Sequence, residues 1–524
     1  MTSDDAAAVS IKHRLLLSLL AAAGIVMVLF STSRYGVGLS PDSVHYISLA
    51  RNLIAGSGFV SFNGNPIVEW PPLYPTLLAL AGGIFRTDPL LLASVVNAFI
   101  FGLIVYVGGW LTFKHFRPFP VIAITGALAT LFSVPLFEVS VMAWSEPLFI
   151  LFLLLSFIFL DTYLEKKDVA SLLFFSMSVT LSCLTRYVGV TLILWGAVTI
   201  VIFNHSSLKE RISHLSLFIL ISALPLGVWL IRNYAASSTL AGILPLSKRT
   251  LSQSLCFLFD SLKRWCVLSN RMANYPILST LVMATAVFFL SFKGIWQNVK
   301  VVLRQSGALA LFSITSGLFV IIYSAFLVFS VSVIAYEPIN SRYLSPIYIP
   351  LNFFLLSVVQ TLANLYQKRF SKKTVNYFLM IGAAIWLACQ IGNIMPAIVN
   401  LAQSGTGYRS KKWVESKTMQ YLQQHQALKS NETIYTNDPT ALYLLANLIS
   451  KWSPRKGYDN SRDAESDLLS LKGSWPKEGK ARLVWFNGVG SLFTIDELRA
   501  IAKLDLIARF DDGAIYSVTK KETV

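Results

Sequence analysis

VASLLFFSMSVTLSCLTRYVGVTLILWGAVTIVIF, Val169 to Phe203, is the run on which the threading of the whole chain turns. As one helix its 35 residues would measure roughly 50 Å, too long for a membrane core of roughly 30 Å and short for two full crossings. Its single charge, Arg186, falls near the middle. Read as one span, the run would put the later basic groups Lys293, Lys300, Arg304, Lys368, Arg369, Lys372 and Lys373 outside. Basic residues collect on the inner side of membrane proteins. The run is therefore expected to form two short helices that meet at Arg186 on the outer side.

Working outward from it, the composition agrees with a membrane protein. The chain has 524 residues, 54% hydrophobic and 14% charged, with mean hydropathy +0.59, values that exclude an ordinary soluble globular protein. A net charge of +17 would point to nucleic acid in a soluble chain. Here much of it lies in short loops between apolar runs and is a topology signal.

Leu15 to Phe30 follows Lys12, His13 and Arg14 and is read as an uncleaved first span with the N-terminus inside. Leu90–Phe113, Phe119–Val134, Pro147–Leu160, the two halves of 169–203, Leu215–Ile231, Ile277–Phe292, Leu309–Ile334, Ile347–Leu362 and Val375–Ile394 complete eleven spans. The expected fold class is an all-α polytopic membrane protein with a small C-terminal α/β extracytoplasmic domain. Residues 1–400 form the membrane domain and 401–524 the outer domain, in a bacterial inner membrane.

Two stretches of the first outer loop, 32–89, are read as interfacial helices. SPDSVHYISLARNLIAGSGF, Ser40 to Phe59, has Ser40 to cap, Pro41 at the first helical position, Asp42 in the first turn and Gly56 to close. WPPLYPTLLALAGGIF, Trp70 to Phe85, is apolar but too short to cross once its prolines are set aside. In the tail, a helix over Lys412–His425, the strand TIYT, a helix capped by Asp438 or Asn437, the strand ARLVWF, a helix begun by Thr494 and the hairpin LIARFDDGAIYSV spell a small α/β unit. Of the four cysteines, only Cys256 and Cys266 share a loop, where a disulfide is an option. The basic loop Arg232–Pro276 is a solvated face or a contact for an anionic lipid headgroup or lipid-linked substrate.

On this map the ionisable residues gather at one rim: Asp42 and Glu69 in the first outer loop, Glu138 and Glu146 in the second, and Arg186, Arg232 and Arg342 at outer helix ends. An acid in a first helical turn also opposes the helix dipole, and an arginine at a helix end also anchors to headgroups. Their convergence from segments three hundred residues apart is what points to a site.

PDSVHYISLARNL, EWPPLYPTLLAL, WSEPLF, LTRYVGV, LPLGVWLIRNY and NSRYLSPIYIP, in that order, resemble the polyprenyl-phosphate-dependent membrane glycosyltransferases of the GT-C superfamily, in particular the protein O-mannosyltransferase and lipid A aminoarabinose transferase-like group. The resemblance covers roughly residues 15 to 400. It implies a catalytic acid in the first outer loop, at Asp42, two interfacial helices over Asp42–Ala55 and Tyr74–Phe85, and a sugar donor carried on a polyprenyl phosphate. Many members have Asp-Glu where this chain has Asp42-Ser43. The WWDYG motif of the oligosaccharyltransferase branch is missing, which argues against en bloc transfer to asparagine.

With that donor, the leaving group is a phosphate anion, and guanidiniums suit it because they bind phosphate bidentately. Asp42 is the expected general base toward an acceptor hydroxyl, with inversion at the anomeric carbon. Glu146 is the expected second carboxylate, orienting the acceptor or an arginine. Glu69, His45, Tyr46, Arg186, Arg232, Arg342 and Tyr343 are the candidate substrate contacts. No His/Cys cluster demands a metal, and no cofactor beyond the lipid-linked donor is expected. The acceptor is a glycan, a lipid or a protein. A surface polysaccharide polymerase or ligase is the alternative. A secondary transporter would instead carry polar groups and broken helices near the midplane in repeated halves, and a non-catalytic scaffold remains if Asp42 proves replaceable.

Overall fold

The computed structural model describes residues 9–204, 206–266, 307–424, 432–456, 461, 468–489 and 493–521. Its membrane part is built from α1 (Ile11–Ser31), α4 (Pro89–His115), α5 (Pro120–Leu131), α6 (Val134–Ser140), α7 (Glu146–Lys166), α8 (Val169–Thr185), α9 (Val190–Phe203), α10 (Leu208–Ser237), α12 (Ala308–Val333), α14 (Tyr348–Tyr366) and α15 (Lys372–Ser404). Between them lie α2 (Pro41–Ile54), α3 (Leu73–Phe85), α11 (Leu251–Cys266) and the short α13 (Ser341–Leu344). Among the described residues eight helices are long and apolar enough to cross a membrane, α5 and α6 together making one of them. The expected span over Ile277–Phe292 lies outside the described residues.

The run 169–203 breaks where its charge stands. Arg186 ends α8 in extended conformation, φ −149 and ψ 138, and a 3-10 turn over Tyr187–Gly189 starts α9. Gly189 is needed there, because a Cβ would lie 2.6 Å from the Cys183 Cα. The threading that follows puts the ends of the helices in register. At one end Lys114 and His115 of α4 meet Asp161 of α7, while Asn204 and His214 both bond the Tyr163 hydroxyl at 2.9 Å. At the opposite end stand the start of α2, the start of α7, the α8–α9 break and Arg342.

Close helix contacts come from small residues, as membrane packing requires. Gly102 and Gly109 of α4 lie against Ile25 and Leu17 of α1, and Gly196 lies against Phe175 and Phe218. The centre is aromatic: Phe157 packs on Trp195, Phe312, Phe319 and Phe353. The indole of Trp195, fully buried, donates to the Thr315 carbonyl at 2.8 Å.

The tail folds as a five-stranded mixed sheet, order β2-β1-β3-β5-β4, from β1 (Ile434–Thr436), β2 (Lys451–Trp452), β3 (Lys480–Phe486), β4 (Ala502–Arg509) and β5 (Gly513–Lys520). β4 and β5 are the expected hairpin. The helix expected over 412–425 is two short ones, α16 (Lys411–Val414) and α17 (Lys417–Gln424), broken at Glu415–Ser416. Asp438 caps α18 (Pro439–Ala446) as expected, its Oδ1 accepting from the Ala441 N–H at 3.0 Å. Strand alternation makes the sheet two-sided. Leu483, Tyr516 and Val518 pack with Leu498 and Ile501 of α19 (Ile495–Ile501), whereas Val484, Phe486 and Ile515 join the core continuous with the membrane part. Cys256 is a free thiol, so the disulfide with Cys266 is not formed. Ten residues apart on one helix, the two are about 15 Å apart along its axis, beyond the reach of a disulfide.

Candidate active site

Local structure fixes Asp42 first. Ser40 caps α2 and exchanges hydrogen bonds with Ser43 in a capping box, and Pro41 occupies the first helical position. The approach to the cap is pinned from two sides: the Gly38 N–H donates to the Val141 carbonyl at 2.8 Å, and the Tyr408 N–H donates to the Leu39 carbonyl at 2.8 Å. Asp42 thus emerges at a helix start whose position is set by the segment between α6 and α7 and by the tail.

Four charged side chains from distant segments form a chain here. Asp42 Oδ2 lies 2.6 Å from Arg342 Nη2, Arg342 Nε lies 2.5 Å from Glu146 Oε1, and the same oxygen lies 2.7 Å from Arg186 Nη1. Two carboxylates balance two guanidiniums. Their exposures differ in a way that separates their roles: Glu146 is 0% exposed and Asp42 is 28% exposed. Glu146 is therefore closed to an acceptor and holds the two arginines, leaving Asp42 as the carboxylate of the chain that an incoming group can reach.

The surroundings stiffen this chain. The Arg342 guanidinium lies 4.0 Å from the Trp144 ring centroid, a cation–π contact, and Trp144 Nε1 donates to Ser40 Oγ at 2.7 Å. Ser145 Oγ accepts from Arg186 Nη1 at 3.1 Å and meets the Tyr46 hydroxyl at 3.2 Å. Tyr46 is buried, edge-on to Trp70 and Tyr74, and burial raises its phenol pKa. His45 stacks on Trp70 at 4.7 Å and bonds Ser61 through Nδ1 at 2.9 Å. Burial lowers its pKa, against the opposing pull of Asp42 and Glu69.

Beside the chain opens a cavity of about 1170 Å3. Ser40, Pro41, Trp144 and Arg342 line one part, Glu138 of α6 and Arg264 and Trp265 of α11 flank it, and Asn393 and Asn400 of α15 with Tyr408 and Trp413 of the tail line the rest. It is large for a small-molecule pocket and combines charge, amides and aromatic rings. Among the described residues no three His, Cys, Asp or Glu side chains stand close enough to hold a metal ion.

Solved structures share this architecture. ArnT from Cupriavidus metallidurans in the apo state, 14% identical, matches with TM-score 0.58 over 95% of this chain and 97% of that one. The same protein bound to undecaprenyl phosphate matches at 0.59, with 13% identity and the same coverage. The archaeal oligosaccharyltransferase AglB from Archaeoglobus fulgidus, in complex with an inhibitory peptide and a dolichol-phosphate, matches at 0.54 and 12% identity over 90% of this chain and 69% of that one. The chain has the GT-C glycosyltransferase fold. No family model and no curated protein matches its sequence.

On this GT-C scaffold the expected site residues divide. Asp42, Glu146, Arg186 and Arg342 meet directly, with Tyr46 joined through Ser145. Tyr343 is a neighbour, its ring 5.9 Å from the Arg342 guanidinium, while its carbonyl accepts from the Tyr323 hydroxyl at 3.0 Å. Arg232 does not join them, a correction to the expected trio of arginines. Its guanidinium donates to the carbonyls of Ile67 at 2.8 Å and Phe59 at 3.1 Å and covers Trp229 at 4.9 Å, so it ties the loop between α2 and α3 to α10. Glu69 is exposed and makes no ion pair among the described residues; Gly242, at φ +82, packs against it. Trp144, Ser145 and Tyr408 were not among the expected contacts. The first two lie inside WSEPLF, where the spacing to Glu146 was the available signal.

Proposed function

We propose that the protein is a glycosyltransferase that moves a sugar from a polyprenyl-phosphate donor to an acceptor hydroxyl on the extracytoplasmic face. The coarse part of this is supported by the GT-C fold, shared with ArnT bound to undecaprenyl phosphate and AglB in complex with a dolichol-phosphate. The finer part is carried by one observation: Asp42, the accessible carboxylate, is 2.6 Å from a guanidinium that lines the cavity.

In this scheme the donor phosphate lies against Arg342, with Arg186 behind it through Glu146. The guanidinium offsets charge that develops as the phosphate leaves. Asp42 takes the acceptor proton, and attack from the face opposite the phosphate inverts the anomeric carbon. With guanidiniums beside the leaving group, the scheme calls on no further cofactor. The size of the cavity, about 1170 Å3, supports room for both the sugar and the acceptor end. The basic loops support an orientation with the N-terminus inside and the tail outside, and an inner membrane is the location proposed with it.

The test is a panel of undecaprenyl phosphate-linked sugars and candidate acceptors offered to purified protein in nanodiscs, with release of undecaprenyl phosphate as readout. Acceptor-dependent release with one sugar is expected. Absence of release across the panel, from protein that binds undecaprenyl phosphate, would point instead to the polymerase or ligase alternative, which acts on longer lipid-linked glycans.

A further inference from the structure

The base and the donor site share one guanidinium. Arg342 spends Nε on Glu146 and Nη2 on Asp42, at 2.5 Å and 2.6 Å, while its face is covered by Trp144. Glu146 is fully buried and shared with Arg186, so that side of Arg342 is fixed. Arg342 itself lines the cavity, and its other partner, Asp42, is 28% exposed. The accessible carboxylate is therefore ion-paired with the same group that would hold the donor.

We infer that Asp42 and the donor phosphate compete for Arg342, so that donor binding draws the guanidinium off Asp42 and thereby creates the general base. This rests on the proposed function and adds an order to it, donor before acceptor. The charge count supports the competition. Asp42, Glu146, Arg186 and Arg342 sum to zero, and a phosphodiester brings one further negative charge to this cluster. Once freed, Asp42 accepts the acceptor hydroxyl's proton as the acceptor oxygen bonds to the anomeric carbon. The bond from that carbon to the phosphate oxygen breaks, its electron pair stays on the phosphate, and Arg342 faces the new charge. Asp42 passes its proton to solvent, and release of polyprenyl phosphate returns Arg342 to the carboxylate. Fixed Glu146 and Arg186 keep Arg342 from leaving the site while it changes partner.

Binding of undecaprenyl phosphate to full-length protein in neutral phosphatidylcholine nanodiscs tests this without requiring turnover. Asp42→Asn, which keeps the side-chain shape and leaves the Ser40 cap alone, is expected to tighten binding by about tenfold, equivalent to ~1.4 kcal/mol. Arg342→Ala is expected to weaken it. The double variant decides between competition and simple relief of repulsion. With Arg342 gone, removing the Asp42 charge should bring no tightening if the two compete. Equal affinity of wild type and Asp42→Asn, or tightening that persists in the Arg342→Ala background, would overturn the competition while leaving the proposed function standing. No binding of undecaprenyl phosphate to wild type would overturn both.

Discussion

Glu146 carries two guanidiniums on one oxygen and has no exposed surface, so its removal leaves the largely buried Arg186 without its ion pair and Arg342 with Asp42 alone. Glu146→Gln is expected to cost about 3–5 kcal/mol of stability, the range for breaking a buried ion pair from one side. Thermal unfolding in detergent reads this as a lowered midpoint. An unchanged midpoint would mean that the arginines find other partners. His45 gives a pH signature outside the spans. Its pKa is lowered by burial from the ordinary 6.5, so the folded protein resists a proton that the unfolded chain accepts. The contribution of the neutral ring to stability is complete above about pH 6.5 and is lost as pH falls below it. Between about pH 7.5 and pH 5.5 wild type should lose more stability than His45→Gln, measured as the difference in unfolding midpoint. Equal losses would remove His45 as the source. At this scale the sequence marked residue types and rim positions, which is how Asp42, Glu146, Arg186 and Arg342 came into view. It did not distinguish Arg342 from Arg232, because the partners of Arg232 are the backbone carbonyls of Phe59 and Ile67, and a sequence does not say where those point.

The start of α2 is an element held from outside itself. Gly38 lies where a Cβ would meet Met142 Sδ at 2.2 Å, and Gly407, at φ +57, lies where a Cβ would meet the Leu39 carbonyl oxygen at 1.9 Å. Either substitution pushes the Ser40 cap, and Asp42 with it. Misplacing a reacting group by about 1 Å costs on the order of 10²-fold in rate. Gly407→Ala is therefore expected to lower kcat by about that factor while undecaprenyl phosphate binding is retained or tightened, since Arg342 is held elsewhere by Glu146. An unchanged kcat would show that the tail does not set the position of α2. Elements were the most legible scale. The break at Arg186, the helices α2 and α3 and the β4–β5 hairpin could all be read from apolar length, charge and turn chemistry. The grip of Gly407 on Leu39 could not, since it joins segments more than three hundred residues apart through backbone atoms alone.

At the scale of the whole molecule, the parity of the spans is what makes the site. One fewer crossing between residues 169 and 203 would leave Arg342 at the end of the bundle opposite Asp42. The tail sheet adds a second constraint, burying one face on α19 and the other in the core continuous with the membrane part. Through Tyr408 and Trp413 the tail also lines the cavity, so it is part of the site wall. The most direct measurement is release of undecaprenyl phosphate from the matching lipid-linked sugar by wild type and by Asp42→Asn, with unfolding midpoints compared in parallel. A fall in turnover of 10²-fold or more, the order expected for loss of a general base, with the midpoint retained, is the expected result. Turnover unchanged in Asp42→Asn would contradict the assignment of the base and, with it, the mechanism built on this cluster.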